Sequence, residues 1–182
     1  RGSPYWDWVP RVAPDELYLY FAGTAPTHHL YGLRVALDMI HAEGIENVWS
    51  RHDRLARAIW AAAAAWGQGG PLRLNVSDPD NRSAAVTTLH LPSPEAARLR
   101  AWVEAHAGVT LGLGIGMQSD ADPTGDGVFR IGHMGHVNGH MILGALGAIE
   151  AGFKALGIQH GAGGVSAAAS ARARPRGSGS SL

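Results

Sequence analysis

Leu30, Leu33, Leu37 and Ile40 recur at intervals of three and four residues, the spacing that lines one stripe of a helix against a core. The pattern predicts a helix with Thr27 as its cap and Gly44 as its stop. Val48, Trp49, Leu55, Ile59 and Trp60 anchor a second helix over residues 46–66, ended by Gly67-Gln68-Gly69-Gly70-Pro71. Two strands are predicted next, over 72–76 and 85–91, separated by the turn-rich Ser77-Asp78-Pro79-Asp80-Asn81. A helix over 94–106 with Ser93 as its cap follows, then a strand over 109–116 and a polar loop over 118–127. A last strand, 128–133, leads through a glycine-rich turn into a long helix over 138–156. Ahead of these, Leu17-Tyr18-Leu19-Tyr20-Phe21 reads as a short strand or buried extended segment.

Two helices, two strands, a helix, two strands and a helix make an α+β layer: a small, antiparallel or mixed sheet with helices on one face. The first 24 residues, broken by Pro4, Pro10 and Pro14, fit that layer poorly and read as the end of a preceding domain. With an Arg rather than a Met at position 1, the chain is expected to be a fragment. Residues 161–182 are Gly, Ala, Ser and Arg for the most part and are expected to be a disordered tail.

Composition narrows the function classes. Hydrophobic residues are 46% of the chain, which excludes disorder throughout. The absence of cysteine excludes a disulfide scaffold, a thiolate zinc site and a thiol nucleophile, and fits a cytoplasmic location. Fifteen basic residues balance fifteen acidic ones, which argues against a nucleic-acid partner. No apolar run approaches the roughly 18 residues of a membrane span.

Several residues invite chemistry. His133, His136 and His140 are spaced so that a helix would bring three imidazoles together as metal ligands. The interleaved Gly132, Gly135 and Gly139 argue instead for a turn. His28 and His29 are adjacent, so they diverge on a helix and read as cap or packing residues. Gly112-Leu113-Gly114-Ile115-Gly116 lacks the spacing of a dinucleotide fingerprint, and reads as a strand closely approached by other backbone. Arg130 sits among apolar neighbours in Val128-Phe129-Arg130-Ile131-Gly132. A guanidinium there needs an anion: a carboxylate brought by a ligand, or an internal acid. Thr24, just ahead of a helix start, is placed for a phosphate or for a plain turn. Lys154, the only lysine, falls late in a surface helix, where a cation favours the C-terminus.

Three blocks together carry a resemblance. Thr24-Ala25-Pro26-Thr27-His28-His29-Leu30-Tyr31-Gly32-Leu33-Arg34, Gly44-Ile45-Glu46-Asn47-Val48-Trp49-Ser50-Arg51-His52 and Phe129-Arg130-Ile131-Gly132-His133-Met134-Gly135-His136-Val137-Asn138 resemble, in order and spacing, the C-terminal half of the class V aminotransferases. These are pyridoxal-phosphate enzymes of the alanine–glyoxylate, serine–glyoxylate and pyridoxamine–pyruvate type. The resemblance implies a C-terminal small domain of a fold-type-I enzyme, with a three- to four-stranded, mainly antiparallel sheet. It divides the chain into the end of a large cofactor-binding domain with its linking helix (1–43), a small domain (44–160) and the tail (161–182). It further implies pyridoxal 5'-phosphate as cofactor, a homodimer, and transfer of an amino group from an alanine- or serine-like amino acid to a 2-oxo acid such as glyoxylate or pyruvate. Arg130 then binds the substrate carboxylate, and Thr24 touches the cofactor phosphate of the neighbouring subunit. Phe21 stands where a phosphate-binding hydroxyl is often found, and Tyr18 or Tyr20 are the nearby replacements. The Schiff-base lysine of such enzymes lies upstream of residue 1 and does not match Lys154, so the chain alone is expected to be inactive. The readings from other classes are a metal-dependent hydrolase using His133, His136 and His140, or a non-catalytic dimerisation or binding domain.

Overall fold

The computed structural model describes residues 3, 5–21 and 23–173. The chain divides into two compact units, residues 1–48 and 49–182. In the first unit, 3-10 turns at Val9–Arg11 and Leu17–Phe21 precede helix α1, Thr27–Glu43. Helix α2, Ile45–Gly67, begins at the end of the first unit and runs on in the second, which continues through strand β1, Arg73–Leu74, strand β2, Val86–His90, and helix α3, Glu95–Ala107. Strand β3, Gly112–Leu113, strand β4, Val128–Gly132, helix α4, Gly139–Leu156, and helix α5, Gly164–Ala173, complete it.

The expected helices are present with shifted ends. Thr27 does not cap α1: Pro26 holds the cap position and no side chain bonds there. Ser93 does not cap α3, where Pro94 holds that position; its side chain bonds Asp122 instead. Asn138 does cap α4, its Oδ1 accepting from the Met141 N–H at 3.0 Å. Helices α3 and α4 both end on left-handed glycines, Gly108 and Gly157, as the low steric cost of that conformation favours.

The expected strand at Leu17–Phe21 is not formed. A strand needs a neighbour for its peptide groups, and every strand among the described residues belongs to the second unit. Local bonds serve instead, from Leu19 N–H to Glu16 O and from Gly23 N–H to Tyr18 O, and the segment is exposed rather than buried. The apolar stripe of α1 is also exposed at Leu30, Leu33, Leu37 and Ile40. Its period is helical as read, but no described element covers it.

In the second unit the four strands form one antiparallel sheet in the order β1-β2-β4-β3. β1 and β3 are the edges, and each is shorter than the sequence pattern suggests because one neighbour sustains less of the ladder. Alternation along the strands separates two faces. Leu89 opposite Phe129 and Thr87 opposite Ile131 turn toward the core. Thr88 opposite Arg130 turns the other way.

The core joins Leu55, Ile59 and Trp66 of α2, Leu99 and Val103 of α3, and Leu146, Ile149 and Phe153 of α4 to the sheet. α3 and α4 meet where Gly152 has no side chain: a Cβ there would lie 2.7 Å from Leu99 Cδ1.

The expected disordered tail needs correction over 164–173, which form α5 with Gly164 and Ala168 buried. Its composition resembles that of a flexible segment, but its docking depends on distant residues. Glu150 of α4 accepts from Trp66 Nε1 at 3.1 Å and from the Val165 N–H at 3.4 Å, placing a carboxylate at the N-terminus of α5. Burial pushes the Glu150 carboxyl up, but hydrogen bonds from Trp66, Lys154 and Val165 outweigh it and hold the group below its usual range. The remainder of that predicted tail, 174–182, lies outside the described residues.

Candidate functional site

The two candidates with the sharpest sequence signals end on opposite sides of the sheet. β4 places Phe129 and Ile131 in the core, and continuing the alternation turns His133 the same way. His133 is fully buried. Its Nδ1 lies 3.0 Å from Ala84 O, and its Nε2 lies 2.9 Å from Thr87 Oγ1. Thr87 Oγ1 also accepts from Trp60 Nε1 at 3.1 Å. One assignment satisfies every group: the indole donates to the hydroxyl, the hydroxyl donates to Nε2, and Nδ1–H donates to the carbonyl. The imidazole is therefore neutral, with both nitrogens engaged by the protein.

This chain of bonds removes the metal reading of His133, His136 and His140. Residues 133–138 are not helical, since α4 starts at Gly139, so the spacing of three and four does not gather the rings. His136 and His140 are exposed. No group of three or more His, Asp or Glu among the described residues is arranged to hold a metal ion. The turn itself is held from α2, with Arg51 donating to Gly135 O at 2.8 Å and Val137 O at 3.0 Å.

Burial, and secondarily the charge of His52, push the His133 imidazole below its usual range, against an opposing bond to Ala84 O. The unfolded chain therefore takes up a proton that the native chain refuses. Stability from this group is complete above about pH 6.5 and is lost as pH falls below that value toward the depressed native pKa, at no more than about 1.4 kcal/mol per pH unit. Thermal unfolding between about pH 7.5 and about pH 5 is expected to show a shallower acid slope in His133→Asn than in the parent. Equal slopes would remove His133 as a source of the dependence.

On the opposite face, Arg130 is half-buried. Its Nε donates to Leu113 O at 2.5 Å. No ion pair with Asp or Glu reaches it among the described residues. Of the two partners open to it from sequence, an internal acid is not found among the described residues. The backbone carbonyl takes the inner nitrogen, and the two terminal nitrogens have no acceptor among the described residues. Such a planar pair of donors suits a carboxylate supplied by a ligand.

No protein-family model matches the chain. It is 36% identical over 146 residues to serine–glyoxylate aminotransferase of Arabidopsis thaliana, covering 80% of this chain and 34% of that protein. The serine–glyoxylate aminotransferase of Methylorubrum extorquens is 37% identical over 147 residues, again with 80% of this chain and 34% of the relative covered. The same relationship is present in three dimensions. The crystal structure of pyridoxamine–pyruvate aminotransferase from Mesorhizobium loti superposes with a TM-score of 0.72 at 28% identity, over 86% of this chain and 38% of that one. The chain is homologous to the class V aminotransferases. It spans about a third of the length of the curated relatives it matches.

The remaining candidates fall out as follows. Thr24 is exposed and lies three residues ahead of α1, in the first unit. His28 and His29 occupy the exposed first turn of α1. Lys154 is exposed and pairs with Glu150 at 3.3 Å, one helical turn earlier, so the only lysine has an ordinary surface role. Gly112 and Leu113 of the glycine-rich run form edge strand β3 against β4, as expected of a strand; what approaches Gly112 and Gly114 most closely is the side chains of Arg130 and Val128 rather than other backbone. Sequence reasoning passed over Thr87 and read Trp60 only as a packing anchor of α2, not as a hydrogen-bond donor to Thr87. Thr87 had one signal, a polar residue at a core-facing position of β2, but its partners are far away in the chain. No helix among the described residues is long and apolar enough to cross a membrane.

Proposed function

We propose that this chain is the C-terminal part of a pyridoxal-phosphate-dependent aminotransferase that moves an amino group from an alanine- or serine-like amino acid to a 2-oxo acid such as glyoxylate or pyruvate. One observation carries the reading. Arg130 is fixed by a backbone carbonyl, has no acidic partner among the described residues, and turns away from the core. In this role the terminal nitrogens of Arg130 grip the substrate's carboxylate and set its orientation. The contribution is positional: a substrate held in one attitude reaches the reactive geometry without a further entropic cost.

The cofactor, when bound, supplies the electron sink that amino-group transfer requires. Thr24 fits a place at its phosphate. The hydroxyl is exposed and no described side chain bonds the cap position of α1, so the donors of that helix start suit an anion. By the same reading, Thr24 serves the cofactor of a neighbouring subunit in a homodimer, and the longer protein is cytoplasmic.

The test is an amino-transfer assay. A longer protein containing this segment, loaded with pyridoxal 5'-phosphate, is expected to turn over serine or alanine with glyoxylate or pyruvate. The 182-residue chain is expected to give none. Turnover by the isolated chain, or its absence in the longer protein, would count against the proposal.

A further inference from the structure

We infer that Gly112 is a positioning residue for Arg130: its missing side chain makes the space in which the guanidinium is held against the Leu113 carbonyl. The inference rests on the carboxylate-binding reading of Arg130 and extends it to the strand alongside.

Gly112 is the direct cross-strand partner of Arg130. A Cβ at position 112 would lie 3.2 Å from Arg130 Cβ and 3.4 Å from Arg130 Nε. The arginine side chain therefore lies along the vacant side of Gly112, and the nitrogen closest to that space is the one that donates to Leu113 O. The carbonyl is itself anchored, because it also accepts from the Ile115 N–H at 3.0 Å. With Nε secured on a fixed acceptor, the plane of the guanidinium is set, and its two terminal nitrogens are left to act as a pair.

Backbone conformation does not explain the glycine. Gly112 lacks the positive φ seen at Gly108 and Gly116, so the backbone at 112 is open to any L-residue. Glycine weakens a strand relative to a β-branched residue, and β3 is only two residues long. What the glycine provides in return is room for Arg130. An alanine requires Arg130 to move by a few tenths of an ångström. A valine adds branches next to Arg130 Nε and competes with its bond to Leu113 O.

The experiment is a double-mutant cycle in the longer protein, loaded with cofactor, with folding verified by thermal unfolding of each variant. Gly112→Val is expected to raise KM for the carboxylate substrate about tenfold, with a smaller change in kcat, and Gly112→Ala by less. In an Arg130→Met background, either change at 112 is expected to add little, because the group it displaces is already gone. Should Gly112→Val fail to fold, Gly112→Ala carries the same cycle. An unchanged KM in both Gly112 variants, while Arg130→Met raises it, overturns the positioning role and leaves the carboxylate reading standing. Full additivity with Arg130→Met likewise overturns it, by showing that Gly112 acts through strand structure alone. If Arg130→Met itself leaves KM unchanged, the carboxylate reading fails and this inference fails with it.

Discussion

Arg130→Lys in the longer protein is expected to raise KM for the carboxylate substrate at least tenfold, and Arg130→Met to lower kcat/KM about a hundredfold or more. The reasoning starts from the division of labour within the guanidinium. Nε is committed to Leu113 O, leaving two coplanar donors for the two oxygens of a carboxylate. Lysine keeps the charge but has one nitrogen. That nitrogen cannot hold the strand carbonyl and match both carboxylate oxygens at once. A hydrogen bond to a charged group contributes about 1.5–3 kcal/mol, and each 1.4 kcal/mol is a factor of ten. Methionine loses the charge as well, so its effect is larger. Steady-state kinetics against the carboxylate substrate read this directly, and parent-like constants in Arg130→Lys would mean that bidentate contact plays no part.

The largest expected loss of stability comes from a residue with no catalytic role. Gly161→Ala is expected to destabilise the second unit by about 3 kcal/mol, a fall in Tm of about 10 °C. A Cβ at 161 would lie 2.1 Å from Ala65 O and 3.1 Å from Gly69 N. Both are backbone atoms near the end of α2, and neither can rotate aside as a side chain could. The same contact seen from the turn after α2 is equally tight, since a Cβ at Gly70 would lie 2.0 Å from Gln159 O. The close approach is held by the Gly161 N–H donating to Trp66 O at 2.7 Å. Gly144→Ala provides the control. Position 144 lies within α4 with nothing within 4 Å of its Cβ, so alanine there is expected to stabilise by about 0.5–1 kcal/mol through helix propensity. Thermal unfolding of the two variants should move in opposite directions, and a Gly161→Ala Tm equal to the parent's would contradict the packing account.

These glycines show where sequence reading stops. Gly67-Gln68-Gly69-Gly70 was legible as the end of a helix, and it is one. That Gly69 and Gly70 also face residues 159–161 was not legible, because the partner lies some ninety residues away. α5 was missed for a similar reason. Alanine and serine permit a helix without requiring one, and the docking groups, Glu150 and Trp66, belong to other elements. Of the two readings of the histidine cluster, the turn argued from Gly132, Gly135 and Gly139 is the one formed, and the metal reading falls by its period. Spacing of three and four gathers side chains only on a helix, and His133 continues a strand.

The order of helices and strands from α1 to α4 and the one-sided layer were legible in the sequence alone, because periodicity is a local property, and so was the placing of Arg130 among apolar neighbours. Three blocks of the sequence also carried the likeness to class V aminotransferases. Tertiary structure alone decided that Arg130 meets a carbonyl rather than an acid, that His133 closes a buried chain of hydrogen bonds, and that α5 is ordered. Each depends on which distant groups come within about 3 Å of one another, a distance set by packing and strand register rather than by neighbours in the chain.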